Sequence, residues 1–294
     1  MGPRISLLLP TLGRPVLARN FLQTVVEQTE NLDDVEVILY VNDDDPTSQN
    51  LDDERINLTR IIGPPATMGT YNTSCLEHSQ GRVLVLVNDD ILIRTRSWDR
   101  ILLELDAEFE DGIYLAYGND LFKKEKVSTF PILSRRTCEI LITPYPKQYR
   151  GGLIDYHLFD IFMRLQKLGH DRIRYLAGVI FEHIHYRTGK MTLDATYTRR
   201  GRWDDDATFI GLRNLRDLSA QRLLAAIENR KLPETPQGPL TDSSPSNFLR
   251  AVFDYYRAFL CDGALPMRWR SFLFAWYCGR YLARKGYLGA LARS

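Results

Sequence analysis

Cysteine is scarce in this chain. Cys75, Cys138, Cys261 and Cys278 are the only four in 294 residues, and their spacing fits no zinc or redox motif. They read as free thiols of a reducing compartment. Charge of one sign is also lacking. The formal net charge is +1, which gives no argument for a nucleic-acid partner. No run of about 18 uncharged apolar residues occurs, so no spanning helix is expected. The chain enters a strand pattern by Ile5 without a charged n-region, apolar stretch and cleavage site, so no signal peptide is expected. A cytoplasmic location follows as an expectation. No repeat of fixed period is present.

What is present is an ordinary globular composition, 44% hydrophobic and 26% charged, with length for one large domain or a domain and an appendage. The charge is unevenly spread. Residues 246–294 hold eight Lys or Arg against two Asp, a net of +6, which leaves −5 for the remainder.

Apolar runs alternate with helical patterns. "RISLLLPTLGRP", "VEVILYVNDDD", the weaker "NLTRIIGPP", "RVLVLVNDDI" and "GIYLAYGND" read as strands. Between them lie helical patterns at "PVLARNFLQTVVEQTE", at "TMGTYNTSCLEHSQG", which Gly81 closes, and over Trp98 to Phe109. Strands that are nearly all aliphatic indicate an α/β fold with a mostly parallel sheet covered on both faces. Residues 123–152 look irregular. "LIDYHLFDIFMRLQKLG" is an amphipathic helix closed by Gly169, "IRYLAGVIFEHIHY" a strand, "RTGKMTLDATYTRRGRWDDDA" a polar loop, and Asp206 to Arg230 a helix.

Four of the strands end in polar residues: "PTLGR", "NDDD", "NDD" and "YGND". In open parallel sheets ligands bind beyond the carboxyl ends of the strands, so these ends predict one site. Burying carboxylates without a partner costs several kcal/mol. Asn88, Asp89 and Asp90 therefore need either a capping role in the following turn or a cation. Residues two apart in an extended segment share a face, so Asp90 could hold a metal while Asn88 bonds a ribose or phosphate. His183 and His185 share a face in the same way. With no Cys pair nearby, a carboxylate and imidazole set suits manganese better than zinc, and purely structural histidines are the alternative. Lys190 and the Arg-rich "YTRRGR" could hold phosphate oxygens, or form a solvated basic loop.

The order of these elements resembles the GT-A fold (Rossmann-like) of nucleotide-sugar glycosyltransferases, family-2-like, over residues 4–215. The resemblance implies that Pro10, Thr11 and Arg14 at the first strand end, Asp43 in "VNDDD", and Asn72 in "MGTYN" bind the donor, a UDP-, GDP- or dTDP-sugar. "NDD" stands where the family has an Asp-x-Asp motif. Asn88 replaces its first acid, so Asn88 and Asp89 pass to donor binding and Asp90 carries the metal, Mn2+ or Mg2+. His183, or else His185, matches a late histidine of the metal site. An inverting transferase needs one carboxylate near the acceptor hydroxyl. Asp155 in "GGLIDYHLFD" fits that place and Asp160 is second choice, although Asp155 also sits where a helix cap would. The family's common Glu-Asp pair is absent. Asp120 of "YGND" could bond sugar hydroxyls or serve as a turn acid.

The implied organisation is a GT-A domain over 1–230 (donor half 1–120, acceptor half 121–230), a Pro- and Ser-rich linker over 231–245, and a basic amphipathic helical extension over 246–294. Apolar positions 248, 249, 252, 253, 256, 259 and 260 form one helical stripe. It would pack on the catalytic domain, lie on an anionic membrane surface, or dimerise. The acceptor is left open among a glycan, a lipid-linked glycan and a small molecule, and no nucleic acid is expected. Two rivals stand beside this reading. A sugar-phosphate nucleotidyltransferase would usually carry a Gly-rich basic loop after its first strand, which "LGRP" is not. A binding module that has lost catalysis draws support from Asn88.

Overall fold

The computed structural model describes residues 2–141, 143–192, 201, 203–234, 245 and 247–287. Eight strands form one sheet in the order β3-β2-β1-β4-β7-β6-β8-β5. They are β1 (Ile5–Thr11), β2 (Val35–Asn42), β3 (Asn57–Gly63), β4 (Val83–Leu86), β5 (Ile91–Ile93), β6 (Leu115–Asn119), β7 (Pro131–Ser134) and β8 (Ile173–His183). The first four strands, β6 and β8 run one way. β7 is antiparallel to β4 and β6, and β5 is antiparallel to β8. The fold is thus α/β with a mostly parallel sheet.

The alternation of side chains explains why two layers of helices are needed. Leu8, Ile38 and Leu84 face one apolar cluster, while Leu7, Leu9, Val37, Leu39, Val83 and Val85 face another. Helices α1 (Pro15–Gln28) and α3 (Trp98–Ala107) supply Phe21, Leu22, Trp98 and Leu102 to the second cluster. The first is closed by α2 (Met68–His78), α4 (Arg135–Leu141), α5 (Ile154–Lys167), α6 (Asp205–Gly211) and α7 (Arg213–Ile227). Helices α8 (Phe248–Tyr255) and α9 (Met267–Arg284) join the same cluster through Ala251, Tyr255, Trp269, Leu273, Tyr277 and Tyr281.

Several expectations change in detail. "VLVLVNDDIL" is not one strand: β4 stops at Leu86, the chain turns through Asn88–Asp90, and Ile91–Ile93 pairs at the far edge of the sheet. Residues 123–152 hold β7 and α4. β7 lies inside the sheet, with Pro131 as its first residue, a place where the missing N–H is tolerated. The helix expected from Asp206 is two, broken at Leu212. On α8 the buried face is Ala251 and Tyr255, so much of the expected stripe stays outside: Leu249, Phe253 and Tyr256 are exposed. No helix among the described residues is long and apolar enough to cross a membrane.

The chain passes from β1 to β2 and β3 on one side and then returns to β4 on the other. The sheet therefore has its switch point between β1 and β4, where a crevice opens at the carboxyl ends. Thr11 and Asn88–Asp90 lie at that crevice.

Candidate active site

The turn after β4 is buried, and the chain supplies its own partners. Thr11 donates to Asp89 Oδ2 at 2.8 Å, and Arg14 Nη1 donates to Asp89 Oδ1 at 3.1 Å. The same Arg14 nitrogen is 3.8 Å from Asp90 Oδ2, and His183 Nε2 is 3.4 Å from that oxygen on the other side. Burial and the neighbouring Asp90 push the Asp89 carboxyl up, against Arg14 and Thr11. The bend "TLGR" makes this possible. Gly13 takes the left-handed φ of +64° and gives its N–H to Asp45 Oδ2 at 2.6 Å, placing Arg14 at the start of α1. The backbone closes the arrangement from β8: the Ile184 N–H donates to the Asp90 carbonyl at 2.8 Å and the His183 N–H to the Asp120 carbonyl at 3.1 Å.

Two clefts meet at this edge and share Met68 and Asn88. One, about 200 Å³, runs along Pro10, Thr11, Arg14, Tyr71, Asp90 and Arg150. Tyr71 packs on Tyr40 with ring centroids 4.7 Å apart. The other, about 270 Å³, is bounded by Asn72, Lys123, Asp155, His183, Trp276 and Arg280, among others. The start of α2 is pressed against the loop that carries Arg150. The Met68 and Gly69 N–H groups donate to the Arg150 and Tyr149 carbonyls, and a Cβ on Gly69 would lie 2.0 Å from the Pro146 oxygen. Only glycine fits there.

Asp155 sits in the first turn of α5, its Oδ1 accepting the Tyr156 N–H at 2.9 Å. Burial pushes this carboxyl up to about 6, while that N–H and the Lys123 ammonium pull it down. The loop leading into α5 is tied from below. Asp205 accepts N–H bonds from Arg150, Gly151 and Gly152 at 2.7, 2.9 and 2.7 Å. Leu153 then takes a left-handed φ of +63°, a strained conformation for a branched residue.

The structure does not bring every expected residue here. Asp160, the second choice for base, lies fully buried away from both clefts. Its Oδ2 accepts from Arg164 (3.0 Å) and Arg216 (2.7 Å), and its Oδ1 from Trp269 Nε1 (2.8 Å). Burial would raise this carboxyl, but the two arginines hold it below its ordinary value. Asp120 is engaged as a turn acid. Oδ1 accepts the N–H groups of Phe122, Lys123 and Lys124, and Oδ2 the Thr129 hydroxyl. Lys190 is ion-paired to Glu182 and lines neither cleft. Asp43 is exposed at the end of β2, on the same sheet edge but outside both clefts. The arginines of "YTRRGR" lie outside the described residues.

Other cleft residues were not anticipated from sequence: Tyr71, Lys123, Arg150, Arg187, Trp276 and Arg280. Trp276 and Arg280 had a readable signal, an aromatic and a cation at i, i+4 in a helix otherwise taken for an appendage. In the structure the Arg280 guanidinium stands between the Trp203 and Trp276 rings, 4.7 and 4.8 Å from their centroids, and donates to Asp206.

No three His, Cys, Asp or Glu side chains form a ready metal-binding group among the described residues. The pair Asp90 and His183 nevertheless suits a hard ion that takes one or two protein ligands and completes its shell with water and phosphate. Two donors with bonds of about 2.1 Å to one ion at somewhat more than a right angle stand about 3–3.5 Å apart, which brackets the 3.4 Å seen. His183 Nε2 is the nitrogen that faces Asp90, and its Nδ1 is buried without a hydrogen-bond partner among the described residues, so the ring lacks the support on its far nitrogen that a ligating histidine usually has.

No protein-family model matches the chain, and no curated protein matches it. Solved structures do. S. aureus TarS 1-349 is similar with a TM-score of 0.49 and 14% identity over 87% of each chain. TarS 1-349 in complex with UDP-GlcNAc is similar with a TM-score of 0.47 and 11% identity, over 98% of this chain and 92% of that one. The mannosyltransferase PcManGT from Pyrobaculum calidifontis, in complex with GDP-Man and Mn2+, has a TM-score of 0.46 and 15% identity, over 99% of this chain and 81% of that one. The chain spans about half, 53%, of the longer S. aureus TarS chain. Likeness at this distance transfers no residue role, donor or metal.

Proposed function

We propose that this chain is a GT-A glycosyltransferase that moves a sugar from a nucleoside-diphosphate sugar to an acceptor hydroxyl, inverting the anomeric carbon. One observation carries the reading. A buried acid pair with a cation and an imidazole around it, at the switch point of a parallel sheet, opens directly onto a second cleft containing a carboxylate raised to about 6. A carboxyl near the working pH is what a general base needs. The similar structures bound to GDP-Man with Mn2+ and to UDP-GlcNAc accord with it.

In this mechanism the base and ribose lie in the cleft of Pro10, Thr11 and Tyr71, and the diphosphate lies toward Arg14, Arg150 and Asp90. Asn72 and Asn88 face the transferred sugar where the clefts join. The acceptor hydroxyl gives its proton to Asp155 as its oxygen bonds to the anomeric carbon, and the bond to the diphosphate breaks on the opposite face. Asp90 and His183 would hold a divalent ion, Mn2+ or Mg2+, which when bound offsets the charge developing on the leaving diphosphate. Arg14 adds a fixed positive charge at the same place.

A second reading is favoured by Arg14 itself. It already offsets one of the two charges of Asp89 and Asp90, which lessens the need for an ion, so the site could bind a nucleotide without a metal, as a non-catalytic module would.

Calorimetric titration of UDP, GDP, dTDP and CMP, each with Mn2+ and with chelator, separates these. Metal-dependent binding of one diphosphate, followed by turnover of the matching sugar nucleotide, is expected. Metal-independent binding without turnover selects the module, and no binding at all overturns both. Presentation of the acceptor at an anionic membrane is part of the proposal, since exposed Leu249, Phe253 and Tyr256 stand beside Arg250 and Arg257. Sedimentation with anionic but not zwitterionic vesicles is the expected result.

A further inference from the structure

The acceptor side of the cleft contains cations that the mechanism above does not use. Lys123 and Arg187 both line it; neither is in an ion pair within 4 Å among the described residues, and Arg187 Nε donates to the Tyr186 hydroxyl at 3.1 Å. Arg280 is the third, with Asp206 behind it. Lys123 is half-buried. Its ammonium lies 5.3 Å from the centroid of the Phe122 ring, and Phe122 in turn stacks on His185 at 5.5 Å. Burial pushes the Lys123 ammonium down, Arg187 and Arg280 push it the same way, and Asp155 and Asp120 oppose them.

The fold holds Lys123 there at a cost. Leu121 and Lys124, on either side, take left-handed φ values of +57° and +53°. Asp120 fastens the loop between them by three N–H bonds. A partly buried ammonium placed by a strained loop, with Arg187 and Arg280 as neighbours and only Asp155 and Asp120 at longer range to offset them, stands where a further anion would stabilise it.

Resting on the glycosyltransferase reading, we infer that the acceptor carries an anionic group, phosphate or carboxylate, close to the hydroxyl that reacts, and that Lys123 and Arg187 bind it. Position favours this anion over the donor diphosphate. On the proposed mechanism the diphosphate lies toward Arg14, Arg150 and Asp90, whereas Lys123 and Arg187 stand with Asp155 in the cleft that His183 also lines, so the nucleotide affinity of the variants below separates the two.

The test uses the full chain loaded with Mn2+ and the nucleotide selected above. Calorimetry is run with four probes: sn-glycerol 3-phosphate, glycerol, D-glucuronate and D-glucose. Binding of one or both anionic probes, at least tenfold tighter than their uncharged counterparts, is expected. The phosphate and carboxylate arms tell which acid the site takes. Lys123→Met should weaken the anionic probe about tenfold or more, Lys123→Arg should restore most of it, and both should leave nucleotide affinity within about twofold. Arg187→Gln, on an exposed turn, repeats the test where folding is least at risk. Equal affinity for charged and uncharged probes, or no binding of either anion by a chain that binds nucleotide, overturns the inference while leaving the donor reading in place. If the variants weaken nucleotide and anionic probe together, the cations serve the donor and the inference is again overturned. A chain that binds no nucleotide sinks the donor reading, and with it the acceptor assignment built on it.

Discussion

The assignment of Asp155 as base makes a quantitative demand on the pH dependence of transfer. A carboxyl at about 6 is roughly 90% ionised at pH 7, 50% at pH 6 and 9% at pH 5, so kcat/KM should fall along a limb that approaches tenfold per pH unit. An unshifted carboxyl at 3.8 would stay more than about 90% ionised at pH 5 and give a flat profile over the same range. The assay is initial transfer rate from pH 5 to 8 with the sugar nucleotide chosen by calorimetry. Asp155→Asn should cost about 10²–10⁴-fold at pH 7, and its residual rate should lose the limb. This second requirement excludes Asp89, whose carboxyl is also raised, as the source of the limb. Lys123→Met should move the limb to higher pH, because the ammonium pulls the Asp155 carboxyl down. A profile flat from pH 5 to 7, or an Asn variant within threefold of the parent, refutes the assignment.

Asp160→Asn leaves Arg164 and Arg216 short of a buried counter-charge. It should destabilise the chain by about 3–5 kcal/mol in urea titration, while activity per folded molecule is unchanged. Asp90→Asn should abolish the gain in nucleotide affinity that Mn2+ confers, read by calorimetry with and without chelator, and leave the metal-free affinity nearly intact. His157 is fully buried against the Tyr149 hydroxyl, and burial holds its imidazole neutral well below 6.5. The unfolded chain then binds the extra proton, so this residue's contribution to stability is lost as pH falls below about 6.5. Asp155 acts in the opposite sense between about 4 and 6, its folded form binding the proton more tightly. His157→Gln should flatten the acid side of the urea midpoint against pH. A chain ending at residue 245 forfeits burial of Trp269, Leu273 and Tyr277, worth about 4.5–9 kcal/mol, against a total stability of about 5–15 kcal/mol. It should lose its cooperative thermal transition in calorimetry.

The parallel sheet was legible because strands buried on both faces must be aliphatic throughout, as in "ISLLL" and "VEVILYV". A site at its carboxyl edge was legible because four of the strands end in polar residues, whereas the switch point between β1 and β4 is a matter of strand order that the sequence does not print. β7 was not: it has four residues and begins with proline, too short for a period to declare itself. The two candidate bases were separable in principle. Asp155 and Asp160 are five positions apart, about 140° around a helix, so a helix that turns the first toward a cleft turns the second into its core. Lys190 illustrates the reverse case. Glu182, its partner, alternates with His183 along β8, so it faces away from the cleft, and the pairing is a tertiary fact. The extension left three readings open in the sequence, packed, interfacial or dimerising, because its aromatics and arginines resemble an interfacial helix as much as a packed one. What decides between them is the complementary surface on α5 and α6, some hundred residues earlier in places.

Trp276 and Arg280 are among the last described residues of the chain, yet they wall the cleft that holds Asp155. Synthesis therefore completes the two halves of the site at different times. The cleft between β1 and β4, which needs Arg150 and the backbone of Ile184 behind Asp90, can assemble once roughly two thirds of the chain has emerged. The other cleft cannot close until α9 has been made and docked. Any product interrupted before Met267 would retain the elements of the first cleft and lack a wall of the second, so the cavity around Asp155 stays unfinished in it.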